Sequence, residues 1–191
     1  MTSDTLLNKI DMHMAGFYSF YFSKKNMNKI TKSVETIVNC LRSGGKILIC
    51  GNGGSASDAQ HFAAELVGKF ELERKALNAI ALTTNTSILT AIGNDYSFED
   101  IFSRQVEALG TKKDILIGIS TSGNSKNVIK AFKVARKKRI KTISFTGNDG
   151  GKLKRASGIN LNVKNDNTAT IQEIHITIIH IISKIVEETL C

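Results

Sequence analysis

Short apolar runs rich in Ile, Leu and Val, separated by longer helical patterns, constrain the fold of this chain most strongly. The first and third runs show no alternation of apolar and polar residues, which is typical of strands covered on both faces. The five runs are residues 46–50, 78–82, 114–119, 141–145 and 158–163, and the intervening helical patterns are residues 57–68, 98–109 and 124–138. This alternation predicts an α/β fold in which helices flank a central parallel sheet.

Both ends of the chain are predicted to be helical. Residues 1–44 form a helical N-terminal segment, in which Ile30, Val34, Ile37 and Val38 share one apolar stripe. Residues 45–191 form the α/β core, which ends in a long helix over residues 168–188. The apolar positions of this last helix spread around much of its circumference, so we expect it to be buried within the fold or between subunits.

The length and composition favour one globular domain. The chain has 191 residues, of which 41% are hydrophobic and 23% are charged. No run reaches the eighteen or so uninterrupted apolar residues of a membrane span, and residues 1–17 do not resemble a signal peptide. The three cysteines, Cys40, Cys50 and Cys191, form no CxxC pair. Reduced thiols in a cytoplasmic protein are the simplest interpretation, and we expect no membrane partner.

The net charge of +9 is compatible with either an anionic small substrate or nucleic acid. The basic residues cluster at residues 24–32, 136–141 and 152–155. None of these clusters interleaves aromatic and basic residues as a binder of single-stranded nucleic acid would. We therefore expect no nucleic-acid partner, regard most of these residues as solvated, and take the charge as mild support for an anionic ligand.

Two loops that follow predicted strands have the composition of phosphate sites. The first, Gly51-Asn-Gly-Gly-Ser-Ala-Ser57, opens a helix, but it lacks the dinucleotide GxGxxG spacing and the lysine of a P-loop. The second places Ser120, Thr121 and Ser122 before a glycine and Ser125 after it, again at the start of a helix. A single hydroxyl would suffice to cap the helix, so four of them favour phosphate binding.

Four side chains on two predicted helices are candidates for chemistry. His61 and Glu65 are four residues apart and therefore share a helix face, although such a pair is more often a surface hydrogen bond. Gln172 and His180 lie on one broad side of the last helix, about 12 Å apart along its axis. Burying them in an Ile-rich helix is costly unless they are paired. Their neighbours Glu173 and His175 are interpreted as structural or surface residues.

The pattern GNGGSASDAQHFAAEL, AIGNDYSFEDIFSRQVEALG, GISTSGNSKNVIKA and IQEIHITIIH strongly resembles the sedoheptulose 7-phosphate (phosphoheptose) isomerases of the sugar-isomerase (SIS) superfamily over almost the whole chain. The resemblance implies one SIS domain over residues 1–191, a Rossmann-like three-layer sandwich, and a homotetramer with active sites between subunits. It also implies that His61, Glu65, Gln172 and His180 surround the reacting end of a phosphorylated sugar and can hold one zinc ion per subunit. Residues implied to bind substrate, besides Glu65 and Gln172, are Asn52, Gly53, Gly54, Ser55, Asn94, Asp95, Ser120, Thr121, Ser122 and Ser125.

The reaction implied by the resemblance is conversion of D-sedoheptulose 7-phosphate to D-glycero-D-manno-heptose 7-phosphate, for nucleotide-activated heptose in lipopolysaccharide or capsule. Moving a proton from C1 to C2 through an enediol requires a base and an acid that act at neutral pH. We hypothesise that Glu65 moves the carbon-bound proton and that His180 shuttles protons to the sugar oxygens or helps to open the ring. The roles of base and acid could be exchanged between the two residues.

The sequence departs from the family in places, including Thr168-Ala169, where some members have an acidic residue, and it leaves other functions open. Lys69 and Thr170 stand where many members have Arg, which affects the expected grip on the substrate. One alternative is a non-catalytic regulator of the same fold that binds the replication initiator, but that relative lacks the histidine that matches His180. Another alternative is a SIS enzyme for a hexose or pentose phosphate, because substrate length cannot be read from the sequence.

Overall fold

Two helices open the chain in the computed structural model, which describes residues 3–191. Helix α1 is Ser3–Tyr21 and helix α2 is Lys24–Arg42, so the helical N-terminal segment is confirmed apart from residues 1 and 2, which lie outside the described residues. The predicted apolar stripe of α2 is buried against the core at Ile30, Val34, Ile37 and Val38.

A single parallel sheet forms the centre of the fold, and all five predicted strands are present in it. Along the sheet the strands lie in the order β2-β1-β3-β4-β5. Their bounds are β1 Ile47–Gly51, β2 Ala79–Ala81, β3 Ile115–Ser120, β4 Lys141–Gly147 and β5 Ile159–Val163. Strand β1 pairs on one side with β2 and on the other with β3, so that Ile47 lies opposite both Ala79 and Ile115.

The helices agree with the sequence prediction except in three segments. The remaining helices are α3 Gly54–Val67, α4 Thr86–Asp95, α5 Ser103–Leu109, α6 Lys126–Lys137, α7 Gly151–Ala156 and α8 Thr168–Leu190. The predicted helix over 98–109 is interrupted, because a 3₁₀ turn at Phe98–Asp100 precedes α5. Helices α4 and α7 were not predicted. Helix α4 packs against the core only through the partly buried Leu89 and Ile92, and α7 has only six residues.

Both faces of the sheet are covered, which gives the predicted three-layer sandwich. Side chains alternate across a strand, so Ile47 and Ile49 face one layer while Leu48 and Cys50 face the other. The first layer contains α2, α3 and α8, and the second contains α5, α6 and α7. The absence of alternation in β1 and β3 therefore follows from burial on both faces.

The strand order places the loops after β1 and β3 side by side. Chain connections leave β1 and β3 towards opposite ends of the sheet, which makes their boundary a topological switch point. In open parallel sheets, ligands bind at such a point, beyond the carboxyl ends of the strands. The two glycine- and hydroxyl-rich loops singled out in the sequence are the loops that meet there.

Helix α8 lies against α2 and α3 across one face of the sheet. Its buried side chains include Ile171, Ile174, Ile178, Ile179, Ile182 and Val186. Among residues 3–191, α8 is the one helix that is long and apolar enough to cross a membrane. Half of its most apolar 18-residue stretch is buried inside the fold, however. A core helix of a globular protein meets the same criteria, and packing accounts for the apolar character of α8.

A buried carboxylate near the end of α8 holds the segment that follows α3. Glu187 accepts hydrogen bonds from the backbone N–H groups of Phe70, Glu71 and Leu72, at 2.9, 2.7 and 2.9 Å, and from Arg74 Nε at 2.8 Å. Burial by itself raises the pKa of Glu187, but these donors outweigh it and lower the pKa from 4.5 to about 2. The carboxylate therefore stays ionised in the folded protein and stabilises it.

Replacing this carboxylate is expected to destabilise the fold in a pH-dependent way. Because Glu187→Gln leaves the buried Arg74 without its counter-charge, we expect a loss of about 3 kcal/mol in the free energy of unfolding at pH 7. A group with a lowered folded-state pKa stabilises fully above its unfolded pKa. The difference between wild type and variant should therefore shrink as the pH falls from 4.5 to about 2.

Urea unfolding at a series of pH values measures this effect. Glu188→Gln is the matched control, because Glu188 is the exposed neighbour on the same helix and should change stability little. A loss that is independent of pH, or equal in the two variants, would contradict the assigned role of Glu187.

Candidate active site

The loop after β1 is shaped by glycines that other residues cannot replace. A Cβ at Gly51 would lie 2.4 Å from the backbone oxygen of Ser55, and Gly53 has a φ of 54°. A Cβ at Gly54 would lie 2.2 Å from Gln172 Nε2. The loop can therefore turn sharply into α3 and admit the side chain of Gln172 from α8 against its backbone.

A reciprocal pair of amide hydrogen bonds joins this loop to α6. Asn52 Nδ2 donates to Asn127 Oδ1 at 2.9 Å, and Asn127 Nδ2 donates to Asn52 Oδ1 at 2.8 Å. Asn127 is buried, and its Oδ1 also accepts from the backbone N–H of Val128. The sequence analysis did not assign Asn127 a role. Its position in the first turn of the helix that follows the hydroxyl-rich loop was the available signal.

The loop after β3 presents its hydroxyls at the start of α6. Ser120 Oγ and Ser125 Oγ are hydrogen-bonded at 2.9 Å, and Ser122 Oγ accepts from the backbone N–H of Asn124. Ser125 is the N-cap residue of α6, yet its side chain makes no cap hydrogen bond. The hydroxyls and the N–H groups at the start of α6 are therefore available to donate hydrogen bonds to an anion.

Hydrogen bonds from the end of β4 and from α7 fix the backbone of the hydroxyl-rich loop. The Thr121 carbonyl accepts from the backbone N–H of Gly147 at 2.8 Å, and the Gly123 carbonyl accepts from the backbone N–H of Leu153 at 2.9 Å. A Cβ at Gly123 would lie 2.1 Å from the oxygen of Gly150. The loop is thus held in one conformation before any ligand arrives.

Helices α3 and α8 bring three predicted residues together. His61 Nε2 lies 2.8 Å from Glu65 Oε1 and 3.2 Å from His180 Nε2, and the three candidate ligand atoms all lie within 4.8 Å of one another. The His61–Glu65 pair is thus not an isolated surface pair. We refer to His61, Glu65 and His180 as the trio.

The geometry of the trio suits a metal ion. One nitrogen, His61 Nε2, faces both a carboxylate oxygen and a second imidazole nitrogen. If it carries a proton, it can donate to only one of them, and if it carries none, its lone pair faces the carboxylate. A shared cation resolves this conflict, and two imidazoles with one carboxylate form an acceptable zinc set.

The other predicted ligand and one unpredicted carboxyl lie next to the trio on the same helices. Gln172 has its amide against Gly54, and no hydrogen bond within residues 3–191 joins it to the trio. Asp58, three residues before His61, has Oδ2 buried without a hydrogen-bond partner. Burial raises the pKa of Asp58 to about 6, although the nearby His61 opposes this rise. The sequence analysis assigned no role to Asp58.

Two predicted sugar-contacting residues are not brought to the trio. Asn94 and Asp95 lie at the exposed end of α4, where Asn94 Nδ2 donates to Asp95 Oδ1 at 2.8 Å. No hydrogen bond or ion pair of residues 3–191 connects them with the trio. Ser55, by contrast, is buried in the first turn of α3 beneath Gly51.

The positions that depart from the family pattern have other partners in this structure. Lys69 is exposed and forms an ion pair with Glu73 at 2.8 Å. Thr170 is buried under α1, with its Oγ1 3.0 Å from His13 Nδ1 and its methyl group where a Cβ on Gly16 would lie. Thr170 therefore joins α1 to α8, while Lys69 remains on the surface.

The remaining polar residues of α8 have structural or surface roles, as the sequence analysis expected. His175 is buried with Nε2 3.2 Å from the Thr146 carbonyl and its ring edge-on to Phe145. Burial lowers its pKa to about 4, so it is neutral at physiological pH. Glu173 lies on the outer side, where it contacts His13 Nδ1 at 2.6 Å.

Comparison with known proteins identifies the family. Residues 20–147 match the SIS domain family. A phosphoheptose isomerase of Helicobacter pylori (strain P12) is 60% identical over 158 residues, which cover 83% of this chain and 82% of that protein. The extent of the domain over residues 1–191 stays a prediction.

Solved structures of phosphoheptose isomerases have the same fold as this chain. A phosphoheptose isomerase from Neisseria gonorrhoeae superposes with a TM-score of 0.90 at 44% identity, covering 97% of this chain and 98% of that one. One from Francisella tularensis gives a TM-score of 0.93 at 40% identity, covering 98% and 100%. This chain therefore belongs to the phosphoheptose isomerase family of SIS-domain proteins.

Proposed function

We propose that this protein interconverts D-sedoheptulose 7-phosphate and D-glycero-D-manno-heptose 7-phosphate through an enediol. The observation that carries the proposal is that α3, which starts at the same edge of the sheet as the hydroxyl-rich loop, carries His61 and Glu65 of the trio. His61 lies seven residues beyond Gly54, about 10 Å along α3 at the standard helical rise. Such a separation suits a sugar that is anchored by its phosphate at one end and reacts at the other.

The phosphate end of the substrate is assigned to the loop after β3. Ser120, Thr121, Ser122 and Ser125 supply hydroxyls, and the first turn of α6 supplies N–H groups and the positive end of its dipole. The fixed backbone of this loop supports the assignment, because a preformed cradle loses little entropy when the ligand binds.

Asn52, Gly53, Gly54 and Ser55 are assigned to the sugar chain between the two ends. The amide pair of Asn52 and Asn127 supports this assignment, because it holds the loop after β1 beside the phosphate cradle. Asn94 and Asp95 are assigned to sugar contacts only within an assembly, since they lie on an exposed helix end.

Proton transfer is assigned to Glu65 and His180. Glu65 Oε1 faces His61, and the second carboxylate oxygen has no hydrogen bond within residues 3–191. That oxygen is available to take the proton from C1 and return it to C2. His180 Nε2 lies 3.2 Å from His61 Nε2, and the centroids of the His180 and Phe70 rings are 5.7 Å apart. His180 is assigned to move protons to and from the oxygens on C1 and C2 of the substrate.

His61, Glu65, Gln172 and His180 are proposed to hold one zinc ion per subunit. The convergence of two Nε2 atoms and a carboxylate oxygen supports this assignment. When bound, zinc supplies a Lewis acid that polarises a substrate carbonyl. Gln172 would reach the ion by turning its amide away from Gly54.

The chain is proposed to assemble as a homotetramer with its active sites at subunit interfaces. Leu6, Ile10, Met14 and Tyr18 recur every four residues along α1 and form an exposed apolar stripe, with exposures of 57, 47, 45 and 57%. A stripe of this kind on a surface helix fits a second copy of the chain. The open site also supports assembly, because 44% of the His61 side chain is exposed and a neighbouring subunit would exclude water from it.

The cellular setting is proposed from the thiols and the family resemblance. Cys40, Cys50 and Cys191 are free thiols, which suits the reducing cytoplasm. The heptose phosphate product is proposed to enter synthesis of nucleotide-activated heptose for lipopolysaccharide or capsule.

Glu65→Gln and His180→Gln should each lower kcat at least about 100-fold, because each removes a proton carrier. NMR of the anomeric protons during incubation with sedoheptulose 7-phosphate measures turnover, and circular dichroism verifies the fold. Glu73→Gln, an exposed carboxylate beyond α3, is the control and should retain wild-type activity. Near-normal turnover in either catalytic variant would refute the assigned roles. Failure of the folded wild type to convert this substrate would refute the proposed reaction.

His61→Gln should abolish metal retention, because it removes the ligand atom that faces both other members of the trio. Zinc bound per chain, determined by elemental analysis after dialysis, should approach one in the wild type and fall at least about tenfold in the variant. His13→Gln, which removes a histidine outside the site, is the control. Equal zinc content in the two variants would contradict the metal assignment.

Ile10→Asp combined with Tyr18→Asp should dissociate the tetramer, because two charges then lie on the apolar stripe of α1. Light scattering after gel filtration should give about four times 20.8 kDa for the wild type and a smaller mass for the variant. Asn8→Asp with Ala15→Asp places the same charges on the opposite side of the helix and should leave the mass unchanged. A monomeric wild type would rule out the assembly.

A further inference from the structure

Basic residues from all three clusters of the sequence meet in a groove at the amino edge of the sheet. The groove has a volume of about 630 Å³ and lies between α2, the end of α6, the end of α7 and the starts of β4 and β5. The cationic residues that line it are Lys32, Arg136, Arg139, Lys141 and Arg155. We call it the basic groove.

The positive charge of the basic groove is not compensated. None of the described residues that line it is acidic. No ion pair or side-chain hydrogen bond within residues 3–191 involves any of its five cationic groups. Some surface lysines outside the groove, Lys69, Lys126 and Lys184, do pair with glutamates. Five unpaired cations around one concavity repel one another, and a bound anion would relieve this repulsion.

Arg139 is held in a backbone conformation that disfavours an arginine. It follows the C-cap residue of α6 with a φ of 59°, in the left-handed region where glycine is the usual residue after a helix. An arginine in this conformation strains the backbone. Such strain is typical of functional sites, and here it would be explained if the guanidinium binds a ligand in the groove.

The rest of the lining is apolar or carries hydroxyl groups. Ile140, Ile159 and Ala156 supply apolar surface, and Thr36, Thr142 and Ser157 supply hydroxyls. A volume of about 630 Å³ is in the range of small-molecule sites. Among residues 3–191, no aromatic residue lines the groove, so it offers no surface on which the bases of a single strand could stack.

The basic groove is separate from the active site. Lys141, the first residue of β4, pairs with Ile115 at the start of β3, whereas Ser120 of the hydroxyl-rich loop ends β3. Five residues of strand, about 16 Å, therefore separate the two edges. A ligand in the groove would not occupy the substrate's phosphate cradle.

We propose that the basic groove is a second ligand site that binds a small molecule carrying a chain of two or three phosphates, either inorganic or part of a nucleotide. Three guanidinium groups suit such a ligand, because each can grip phosphate oxygens with two N–H groups. The apolar part of the lining would accept a nucleoside attached to the phosphate chain. This proposal does not depend on the proposed reaction.

Isothermal titration of the full chain with tripolyphosphate, ATP and adenosine tests the proposal. We expect tripolyphosphate and ATP to bind and adenosine not to bind. The triple variant Arg136→Gln, Arg139→Gln and Arg155→Gln should bind tripolyphosphate at least about tenfold more weakly. Lys112→Gln, Lys133→Gln and Lys137→Gln remove the same charge outside the groove and should change the affinity less than about twofold. Tighter binding of ATP than of tripolyphosphate would assign the apolar lining to a nucleoside.

Two further variants keep the test independent of folding and of the active site. Arg139→Gly relieves the strained backbone, so it should fold at least as well as wild type while binding tripolyphosphate more weakly. Ser120→Ala with Ser122→Ala alters the phosphate cradle and should leave this binding unchanged. The proposal is overturned if wild type binds no tripolyphosphate, if both triple variants lose affinity equally, or if the serine variant loses it instead. Binding of a polyglutamate peptide as tight as that of tripolyphosphate would overturn it in favour of an acidic protein partner.

Discussion

The burial of α8 against α3 and the sheet is the interaction on which the site depends. Each fully buried isoleucine of α8 contributes on the order of 2 kcal/mol, and six apolar side chains of this helix are buried. This stabilisation holds in place the helix that carries Gln172 and His180, both of which are half-buried. It also fixes the crossing of α3 and α8 that brings His180 within 3.2 Å of His61. The core and the trio are therefore products of one packing interaction.

The hydrogen bonds of Glu187 also tie the segment after α3 to α8 and so to the position of the trio. Arg74, which Glu187 holds, donates from its guanidinium to the backbone carbonyls of Glu65 and Leu66. The backbone N–H of Phe70 donates to the same carboxylate, and its ring lies beside His180. A carboxylate without any catalytic role thus fixes the end of the helix that carries Glu65 and one wall around His180. A substitution at Glu187 would therefore be expected to shift the positions of Glu65 and of the residues around His180.

The sequence predicted those parts of the fold that bury apolar surface in a regular pattern. Strands β1 and β3 were evident because they are buried on both faces and no polar residue interrupts their Ile and Leu runs, and α8 was evident from its recurring isoleucines. Helix α4 was missed because it has only ten residues and buries its apolar side chains only partly, and Asn127 was missed because its partner, Asn52, lies 75 positions away. The His61–Glu65 spacing was visible, but its contact with His180 depends on how α3 and α8 cross. Only the family resemblance predicted that contact.

The net charge of +9 invites the interpretation that lysines and arginines attract the phosphorylated substrate, but their distribution argues otherwise. Residues 120–125, the proposed phosphate cradle, contain no basic residue, and Lys126 just beyond them is paired with Glu99 at 3.1 Å. Substrate phosphate would thus be recognised by neutral hydroxyls and by the N–H groups of a helix start. Five cations without an ion pair among residues 3–191 line the basic groove at the opposite edge of the sheet. Because salt screens exposed charges far more than short hydrogen bonds in a preformed loop, the two edges would respond differently to ionic strength. The positive charge therefore calls for an explanation separate from catalysis.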